Sequence, residues 1–462
     1  MAKLYIFGIG GTGARVLRSF TMMLAAGVDI KADAVVPIII DPDASNADLT
    51  AVVQLINTYR SVRSNLTFPQ IVRTSFFRKE ILQIFQNYTM HMQGSVDKSF
   101  NEFVDLPSMD KPTQALMRIL FSEKNIHSSM DVGFKGNPNI GSVVLNQIVK
   151  SDEFSMFANS FEQDDKIFII SSIFGGTGAS GFPLLLKTLR TNNDMPNHDL
   201  INSAEIGAIT LLPYFKLEQS EESAIDSSTF ITKTKSALAY YEKNIIYNNS
   251  INALYYLADD VSNTYPNHEG GSLQKNAAHL VEFLAATAIV DFCNKQHLAT
   301  TNKELGLRDL SDSVTFDSFY EEQYSQLFAP LTEFIMMSNC LTDKFDYYSS
   351  KSFDKNDCFE GLYNSSFMSY LVNICGEFKQ WLGEMKGNKR SLDLFNLETK
   401  NKPFEVVTGR KAKKVFSSKS DYDLVTDRLN SAVSKCHSKG DEDKFLEMYF
   451  LGMERLIIEK FN

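Results

Sequence analysis

Two glycine-rich stretches of this 462-residue chain have the composition of phosphate-binding loops. The first is Gly-Ile-Gly-Gly-Thr-Gly at residues 8–13, and the second is Gly-Gly-Thr-Gly-Ala-Ser-Gly at residues 175–181. Glycine lets a backbone approach a ligand closely, and the start of a helix offers unpaired N–H donors with a partial positive charge. We therefore predict two backbone cradles that converge on one polyphosphate.

Each glycine stretch follows a short apolar run that predicts a buried strand, at residues 4–7 and 166–170. A helix-compatible segment follows each stretch, at residues 14–26 and 182–190. Strand, loop and helix in alternation are typical of an α/β fold with a mostly parallel sheet. The two loops are thus expected to be held by the same sheet.

Other segments extend this α/β pattern. Further strands are predicted at residues 35–40, 204–212 and 251–257, and Pro37 is expected to avoid a central hydrogen-bonded position. Residues 50–130 carry few strand signals and are typical of a helical insertion or of packing helices. Residues 276–292 are apolar at most helical positions, which predicts a helix buried in the middle of the molecule.

Composition excludes several classes of protein. The formal charge of −10 argues against binding to nucleic acid through a diffuse positive potential. No apolar run approaches the roughly 18 residues of a membrane-spanning helix, and the N-terminus lacks the pattern of a signal peptide. The five cysteines show no CxxC spacing and indicate reduced thiols. We expect a cytoplasmic protein without a membrane span and without a nucleic-acid partner.

The order of the motifs resembles that of the tubulin and FtsZ family. The segment at residues 175–181, followed by Phe-Pro, resembles the phosphate-loop signature of that family. Gly136-Asn137-Pro138 with Gly141 is similar to the FtsZ segment that wraps the terminal phosphate. Asp41-Pro42-Asp43 stands where FtsZ carries another Asp-containing stretch. The resemblance covers residues 3–295.

This resemblance implies a tubulin/FtsZ-like α/β fold of a divergent prokaryotic type. A nucleotide-binding parallel-sheet domain is expected at residues 1–275, a long central helix at 276–293, and a divergent, helix-rich C-terminal domain at 294–462. The implied cofactors are GTP or GDP and Mg²⁺. The implied partner is the chain itself, in a homo-oligomer or filament, and a further protein partner is left open.

The expected cofactor-binding residues comprise the two cradles, a strand end, the Asn-Pro loop, one glutamate and one asparagine: Gly10, Gly11, Thr12, Gly13, Ala14, Arg15, Asp41, Asp43, Gly136, Asn137, Gly175, Gly176, Thr177, Gly178, Ala179, Ser180, Glu218 and Asn276. Backbone N–H groups and the hydroxyls of Thr177 and Ser180 would donate to phosphates. Asp41 and Asp43 would orient Mg²⁺ through water. By the resemblance, Glu218 would contact the ribose and Asn276 would read the guanine edge.

Plainer interpretations stay open for several of these residues. Residues 8–13 also fit the dinucleotide fingerprint, and Asp41 could hold a ribose 2′-hydroxyl in an oxidoreductase. Asp41 and Asp43 could be turn residues around Pro42. Asn276 could cap a helix, and Arg15 is more typical of an exposed helix arginine.

The stretch after the predicted central helix departs from the family. There the family carries an Asn-x-Asp-x-x-Asp/Glu motif that completes the hydrolytic site of a neighbouring subunit, and residues 294–317 have no such motif. Asp309 and Asp312 are the nearest acidic candidates for catalysis in trans. We therefore predict a self-assembling GTPase whose Mg²⁺-assisted hydrolytic site is completed between subunits, with a GTP-binding scaffold without turnover as the alternative.

Overall fold

The protein is described by a computed structural model. The described residues are 1–43, 46–68, 74–90, 98–130, 134, 137–218, 229–261, 263–266, 271–273, 275–295, 301–304, 307–308, 311–353, 359, 361–399, 402–413 and 419–461. Two residues of the expected site, Gly136 and Asp309, lie outside them.

The described strands are β1 (Lys3–Ile9), β2 (Ala34–Ile40), β3 (Glu80–Ile81), β4 (Lys166–Ser172), β5 (Glu205–Leu211), β6 (Phe215–Leu217), β7 (Ala253–Leu257), β8 (Asn263–Tyr265), β9 (Thr301–Glu304), β10 (Ser313–Val314) and β11 (Ser391–Leu392). Seven of them form a parallel sheet in the order β3-β2-β1-β4-β5-β7-β9. This is the doubly wound order, which reverses direction between β1 and β4. The predicted α/β class with a parallel sheet is confirmed.

The described helices of the first part of the chain are α1 (Gly10–Ala25), α2 (Ala47–Arg63), α3 (Phe100–Phe103), α4 (Lys111–Leu120), α5 (Glu123–Ile126), α6 (Pro138–Leu145), α7 (Asp152–Ser160), α8 (Gly176–Thr191), α9 (His198–Ser203) and α10 (Phe230–Tyr241). They are followed by α11 (Leu280–Asn294), α12 (Glu321–Thr342), α13 (Phe345–Ser349), α14 (Ser366–Lys386), α15 (Asp421–Val433) and α16 (Asp441–Phe461). Within the described part of the chain, every helix is too short or too polar to reach across a bilayer.

Burial explains why β1, β2 and β4 are almost continuously apolar. Every residue of β2, and every residue but the first of β1 and β4, is buried, as expected for parallel strands covered by helices on both faces. Pro37 pairs with Ile6 of β1, whereas β3 pairs with β2 only at Ala34 and Val35. The missing N–H of Pro37 therefore falls outside the short β3 pairing.

Helix α11 is the predicted buried helix, but it begins four residues later than the sequence suggested. Fourteen of its residues are buried, and Phe292 contacts the Phe168 ring of β4 at a centroid distance of 5.3 Å. His279 is the residue before the helix, and its Nδ1 accepts a hydrogen bond from Val281 N at 3.1 Å. Asn276 therefore neither opens nor caps this helix, so its interpretation as a helix cap is wrong, while its contact with the guanine edge stays a prediction.

The C-terminal part is helical, as predicted. Helices α12 and α14 pack through Phe334 and Phe378, whose ring centroids are 4.9 Å apart. The Trp381 indole of α14 donates to Ser19 Oγ of α1 at 3.2 Å, so these helices share one core with the sheet. The domain boundaries at residues 275 and 294 stay predictions.

Candidate functional site at two adjacent helix N-termini

The two glycine loops lie next to each other. Strands β1 and β4 are parallel neighbours, with Gly8 opposite Ile170, so the helices that follow them begin at the same edge of the sheet. A Cβ atom built on Gly10 would lie 3.5 Å from Thr177 Cβ and 4.0 Å from Gly178 N. The predicted convergence of the two loops is therefore present, and it falls where the strand order reverses, the usual ligand position in such sheets.

Among the described residues, no side chain caps either helix at this end. Ile9 precedes α1 and Gly175 precedes α8, no side-chain cap bond is described for either, and neither first turn contains an acidic residue. By contrast, Asn46 and Ser151 cap α2 and α7. The first-turn N–H groups of α1 and α8 thus have no partner in their own helix, and an anion between them would satisfy both sets.

Helical hydrogen bonding narrows the set of donors within each loop. The helices start at Gly10 and Gly176, earlier than the predicted 14 and 182, so the first free donors belong to residues 10–12 and 176–178. Ala179 N already donates to Gly175 O at 3.3 Å. By the same geometry, Gly13, Ala14 and Ser180 use their N–H groups inside the helices.

Glycine is required at different positions of the two loops for different structural reasons. Gly10 has a φ of +71°, which disfavours any other residue there. A Cβ on Gly13 would lie 2.4 Å from the carbonyl carbon of Gly8, and one on Gly178 would lie 2.5 Å from Ser172 O. Gly13 and Gly178 are therefore required by the close approach of helix to strand, independently of any ligand.

The two expected hydroxyl donors differ. The Ser180 hydroxyl is buried and donates to Gly176 O at 2.7 Å, so its single hydrogen is used within α8. Thr177, in the first turn of α8, is half-buried and faces Gly10 of the other loop. Of these two hydroxyls, that of Thr177 is therefore the one placed beside the free N–H groups.

Asp41 and Asp43 end strand β2 at the same edge of the sheet. Asp43 N donates to Asp41 Oδ1 at 3.1 Å, and Gly271 N donates to Asp43 Oδ2 at 2.6 Å. Both side chains are buried, and burial raises the pKa of Asp41 to about 7. Each carboxylate thus holds a loop backbone, which agrees with the interpretation of these residues as turn residues.

Within the described residues, no group of three or more His, Cys, Asp or Glu side chains is placed to hold a metal ion. Mg²⁺ bound with a nucleotide keeps several waters and needs only one or two carboxylates, with phosphates supplying the rest. Asp41 and Asp43, which directly follow the strand beside β1, fit that limited requirement by their position.

Arg15 is not the exposed helix arginine that its position suggested. It is buried, its Nη1 lies 2.7 Å from Asp48 Oδ2, and its Nε lies 2.5 Å from Glu282 Oε1. Its Nη2 donates to the Tyr214 hydroxyl at 3.1 Å, and that hydroxyl donates to Glu282 Oε1 at 2.8 Å. This Arg15 cluster, Arg15 with Asp48, Glu282 and Tyr214, joins α1, α2, α11 and the end of β5 beside the first loop.

Asn276 and Glu218 lie on segments near the Arg15 cluster. Asn276 is half-buried, and its backbone N donates to Asp48 Oδ1 at 3.1 Å. Glu218 is exposed directly after β6, and its N donates to Tyr265 O at 3.0 Å. The contacts of Asn276 with a base and of Glu218 with a ribose stay predictions.

Asn137 has a structural role in the described chain. It precedes α6, and its Oδ1 accepts from Asn139 N at 3.2 Å. Helix α6 packs against α8 where Gly141 faces Ser180, and a Cβ on Gly141 would lie 2.2 Å from Ser180 Oγ. The Asn-Pro loop is thus attached to the second glycine loop through α6.

Asp312 lies on the same edge of the sheet as the glycine loops. Its carbonyl accepts from Ser391 N at 2.7 Å, and Arg390 bridges Ser311 O and Asp259 Oδ1. Asp259 closely follows β7, which is parallel to β5, so this segment lies at the carboxyl ends of the strands. This segment is thus beside the candidate site of its own chain, and catalysis in trans by Asp312 stays a prediction.

Sequence reasoning missed Asp48, Glu282 and Tyr214. One signal was present, because Glu282 interrupts an otherwise apolar helix and a buried carboxylate requires a partner. That partner, Arg15, is 267 residues away in the chain, so the pairing itself had no local signal.

Solved structures similar to this chain are CetZ and FtsZ proteins. CetZ2 from Haloferax volcanii, in a GTPγS-bound protofilament, is 15% identical over 56% of this chain and 50% of its own, with a TM-score of 0.27. CetZ1 from the same organism, a GDP-bound monomer, is 14% identical over 63% and 58%, with a TM-score of 0.31. An FtsZ mutant from M. jannaschii is 15% identical over 56% and 46%, with a TM-score of 0.27.

The chain thus spans about half the length of the solved structures it matches. No protein-family model and no curated protein matches it. The likeness to CetZ and FtsZ is therefore partial and is confined to solved structures.

Proposed function

We propose that this chain is a tubulin/FtsZ-like protein that binds a guanine nucleotide between its two glycine loops and associates with itself. The single observation that carries the proposal is the pair of adjacent helix N-termini without side-chain caps, held at the strand-order reversal by β1 and β4. Two sets of free N–H donors facing one space suit a polyphosphate better than a single phosphate. The order of the sequence motifs supports guanine.

The residues divide into three roles. The N–H groups of residues 10–12 and 176–178 donate to phosphate oxygens, and the Thr177 hydroxyl adds a donor. Asp41 and Asp43 would hold, through water, a Mg²⁺ ion that neutralises charge on the phosphates. The Arg15 cluster fixes the start of α1 against α2 and α11, so that the first loop is pre-formed before the ligand arrives.

A binding panel of GTP, GDP, ATP and NAD tests the proposal. A ligand present at 100 times its Kd stabilises a protein by about 2.7 kcal/mol, which is measurable as a rise in Tm. We expect GTP and GDP to raise Tm more than ATP, and NAD to leave it unchanged. A rise with NAD alone would overturn the proposal.

The dinucleotide-dependent oxidoreductase remains the second candidate because a specific observation favours it. The strand order around β1 is that of dinucleotide-binding folds, and Asp41 ends β2 as the ribose-binding acid would. The hydrogen bond from Asp43 N to Asp41 Oδ1 and the second loop at β4 weigh against it.

Turnover is a further part of the proposal. We propose that GTP is hydrolysed slowly by water attack on the terminal phosphate, with Asp309 or Asp312 of a neighbouring copy positioning the water. If so, the rate rises faster than linearly with protein concentration, because the full site forms only between copies. Asp312→Ala, at an exposed position, should then abolish hydrolysis and retain GTP binding.

A rate that is proportional to concentration and unchanged by Asp309→Ala and Asp312→Ala would contradict catalysis by these residues in trans. Retained GTP without hydrolysis at any concentration would favour the nucleotide-locked scaffold. Single-turnover assays over a wide range of protein concentration distinguish these outcomes.

A further inference from the structure

Helix α4 presents an apolar surface to solvent. None of its ten residues is buried, and the exposed fractions of Leu116, Ile119 and Leu120 are 52%, 80% and 58%. Residues spaced by three and four positions lie on one face of a helix. We call these three side chains the α4 ridge, and their spacing is that of an amphipathic helix that docks into a groove.

An apolar groove of about 250 Å³ lies between α12, α13 and α14 of the same chain. Leu341 and Met368, both buried, lie deepest, while Phe345 and Val372 are half-buried and Ser369 is exposed at the mouth. An apolar cavity of ~150 Å³ accepts a benzene-sized group, so this groove is large enough for an aliphatic side chain of the α4 ridge.

The groove lies away from the glycine loops. Glu384, near the end of α14, accepts from Ala278 N at 2.9 Å, close to the Arg15 cluster. Met368 is about 24 Å further along the helix at 1.5 Å per residue. Between Glu384 and Met368 on α14, the Phe378 ring contacts Phe334, which contacts Phe77. Phe77 N donates to Ala25 O at the C-terminal end of α1, so this part of α14 lies near the end of α1 that is remote from its glycine loop.

The segment that carries the α4 ridge is attached to the rest of the chain near the sheet edge that holds the glycine loops. Before the ridge segment, Met90 N donates to Ile39 O at the carboxyl end of β2. The two ends of the segment meet at an antiparallel bridge between Ser99 and Ser129. After the segment, the Phe134 ring lies beside Gly141 of α6, which packs on α8. Ridge and groove thus belong to different segments of the chain, and a head-to-tail contact needs two different surfaces on each copy.

Charges beside the two surfaces are complementary. Arg118 is exposed next to Ile119, and Asp346 is exposed next to Phe345 at the groove. Among the described residues, neither side chain has an ion-pair partner within its own chain. The nearby lysines are engaged, since Lys379 pairs with Asp343 at 2.5 Å and Lys344 lies over the Tyr422 ring at 5.1 Å.

We propose that the α4 ridge of one copy docks into the groove of the next copy, with Arg118 facing Asp346 of that copy. The contact is heterologous, so a docked pair still has one free ridge and one free groove, and the assembly extends. This inference rests on the proposed function only in the clause that the chain associates with itself, because nucleotide binding is no part of the contact.

Sedimentation velocity of the full chain over a concentration series, with and without GTP, measures the contact. We expect Ile119→Glu to weaken association about tenfold or more, since buried anchors carry most of the binding energy. Ile458→Glu is the matched control, because Ile458 is an equally apolar residue, 55% exposed on α16. This control should associate like the unchanged chain.

Two further variants test the pairing of the surfaces. Arg118→Glu and Asp346→Arg should each weaken association, and the double variant should restore it. Ser369→Trp should block the groove without changing the ridge. A mixture of Ile119→Glu and Ser369→Trp chains should stop at dimers, because each dimer uses the one intact ridge and the one intact groove.

Association that survives Ile119→Glu and Ser369→Trp would overturn the inference, and so would an unchanged chain that stays monomeric at every concentration. Binding of a monomeric chain to anionic vesicles through Ile119 would assign the ridge to a membrane instead. GTP affinity measured on the same variants separates this inference from the proposed function, because α4 contributes no residue to either glycine loop.

Discussion

At the scale of single residues, Arg15 was a candidate ligand contact in the sequence, whereas in the structure its guanidinium neutralises buried carboxylates. Its guanidinium lies between Asp48 and Glu282, 33 and 267 residues away in the chain. Such a pairing depends on tertiary packing, so the sequence could predict the glycine loop around Arg15 but not its partners.

We predict that Arg15→Met lowers the free energy of unfolding by ~3–5 kcal/mol, because it leaves two buried carboxylates without their cation. Arg455→Met is the control, since Arg455 pairs with Glu459 at an exposed position and such pairs contribute about 0–1 kcal/mol. Urea denaturation measures both. Equal effects of the two substitutions would contradict a structural role for the Arg15 cluster.

Asp41 gives a prediction about pH. Burial raises its pKa to about 7, above the ordinary value of 3.8, so the folded state binds an extra proton between these values. The stabilisation that depends on this proton is complete below pH ~4 and is lost as the pH rises through 7. Asp41→Asn should therefore flatten the fall in unfolding free energy between pH 5 and 7.

The control for Asp41 is Glu333, another buried carboxyl whose pKa is raised by burial, to about 8. Glu333→Gln should also flatten the fall in unfolding free energy with rising pH, and its effect should extend to a pH about one unit higher than the effect of Asp41→Asn. Urea denaturation at a series of pH values measures both slopes. An Asp41→Asn chain with the slope of the unchanged chain would show that the pKa of Asp41 is not raised in the fold.

At the scale of elements, the sequence predicted most of the strands and helices that position the site. Apolar runs located β1, β2, β4, β5 and β7, and helix-compatible segments located α1, α8 and α11. The starts of α1 and α8 were predicted too late because glycine has low helix propensity, whereas in the fold the glycines form the first turns of these two helices. The two-residue strand β3 is too short to carry a periodicity.

The first turns give a prediction that separates packing from binding. Gly178→Ala should lower the free energy of unfolding by ~1–3 kcal/mol, because its Cβ would lie 2.5 Å from Ser172 O. Gly11→Ala should leave the protein as stable or slightly more so, since the nearest atoms to its Cβ are 3.5 Å away and alanine favours a helix. Chemical denaturation that ranks them in the opposite order would contradict this assignment.

At the scale of the whole molecule, the sheet brings together loops that are about a third of the chain apart. The sequence supplied the motifs and their order, and the resemblance supplied the expectation of one site. The pairing of β1 with β4 explains why the two loops meet, because the carboxyl ends of these neighbouring strands place both helix N-termini side by side. The sequence alone could not predict the Arg15 cluster or the α4 ridge, because each depends on which side chains the tertiary structure buries or leaves exposed.

The central claim is that the N–H groups of α1 and α8 together bind a polyphosphate, and one proline substitution tests it most directly. Gly176 is the first residue of α8, and the preceding Gly175 has φ −82° and ψ 159°, a conformation compatible with a following proline. Proline is well tolerated at this first position but has no N–H to donate. Gly176→Pro therefore removes a donor from the proposed cradle while keeping the start of the helix.

The matched control is Ser366→Pro at the first position of α14, where the preceding Ser365 has φ −81° and ψ 160°. Calorimetric titration of GTP into the unchanged chain and both variants is the measurement, with Tm recorded for each. We predict that Ser366→Pro binds GTP like the unchanged chain and that Gly176→Pro, with a similar Tm, loses about tenfold or more in affinity. Equal GTP affinity in all three folded proteins would contradict the claim that α8 holds the phosphates.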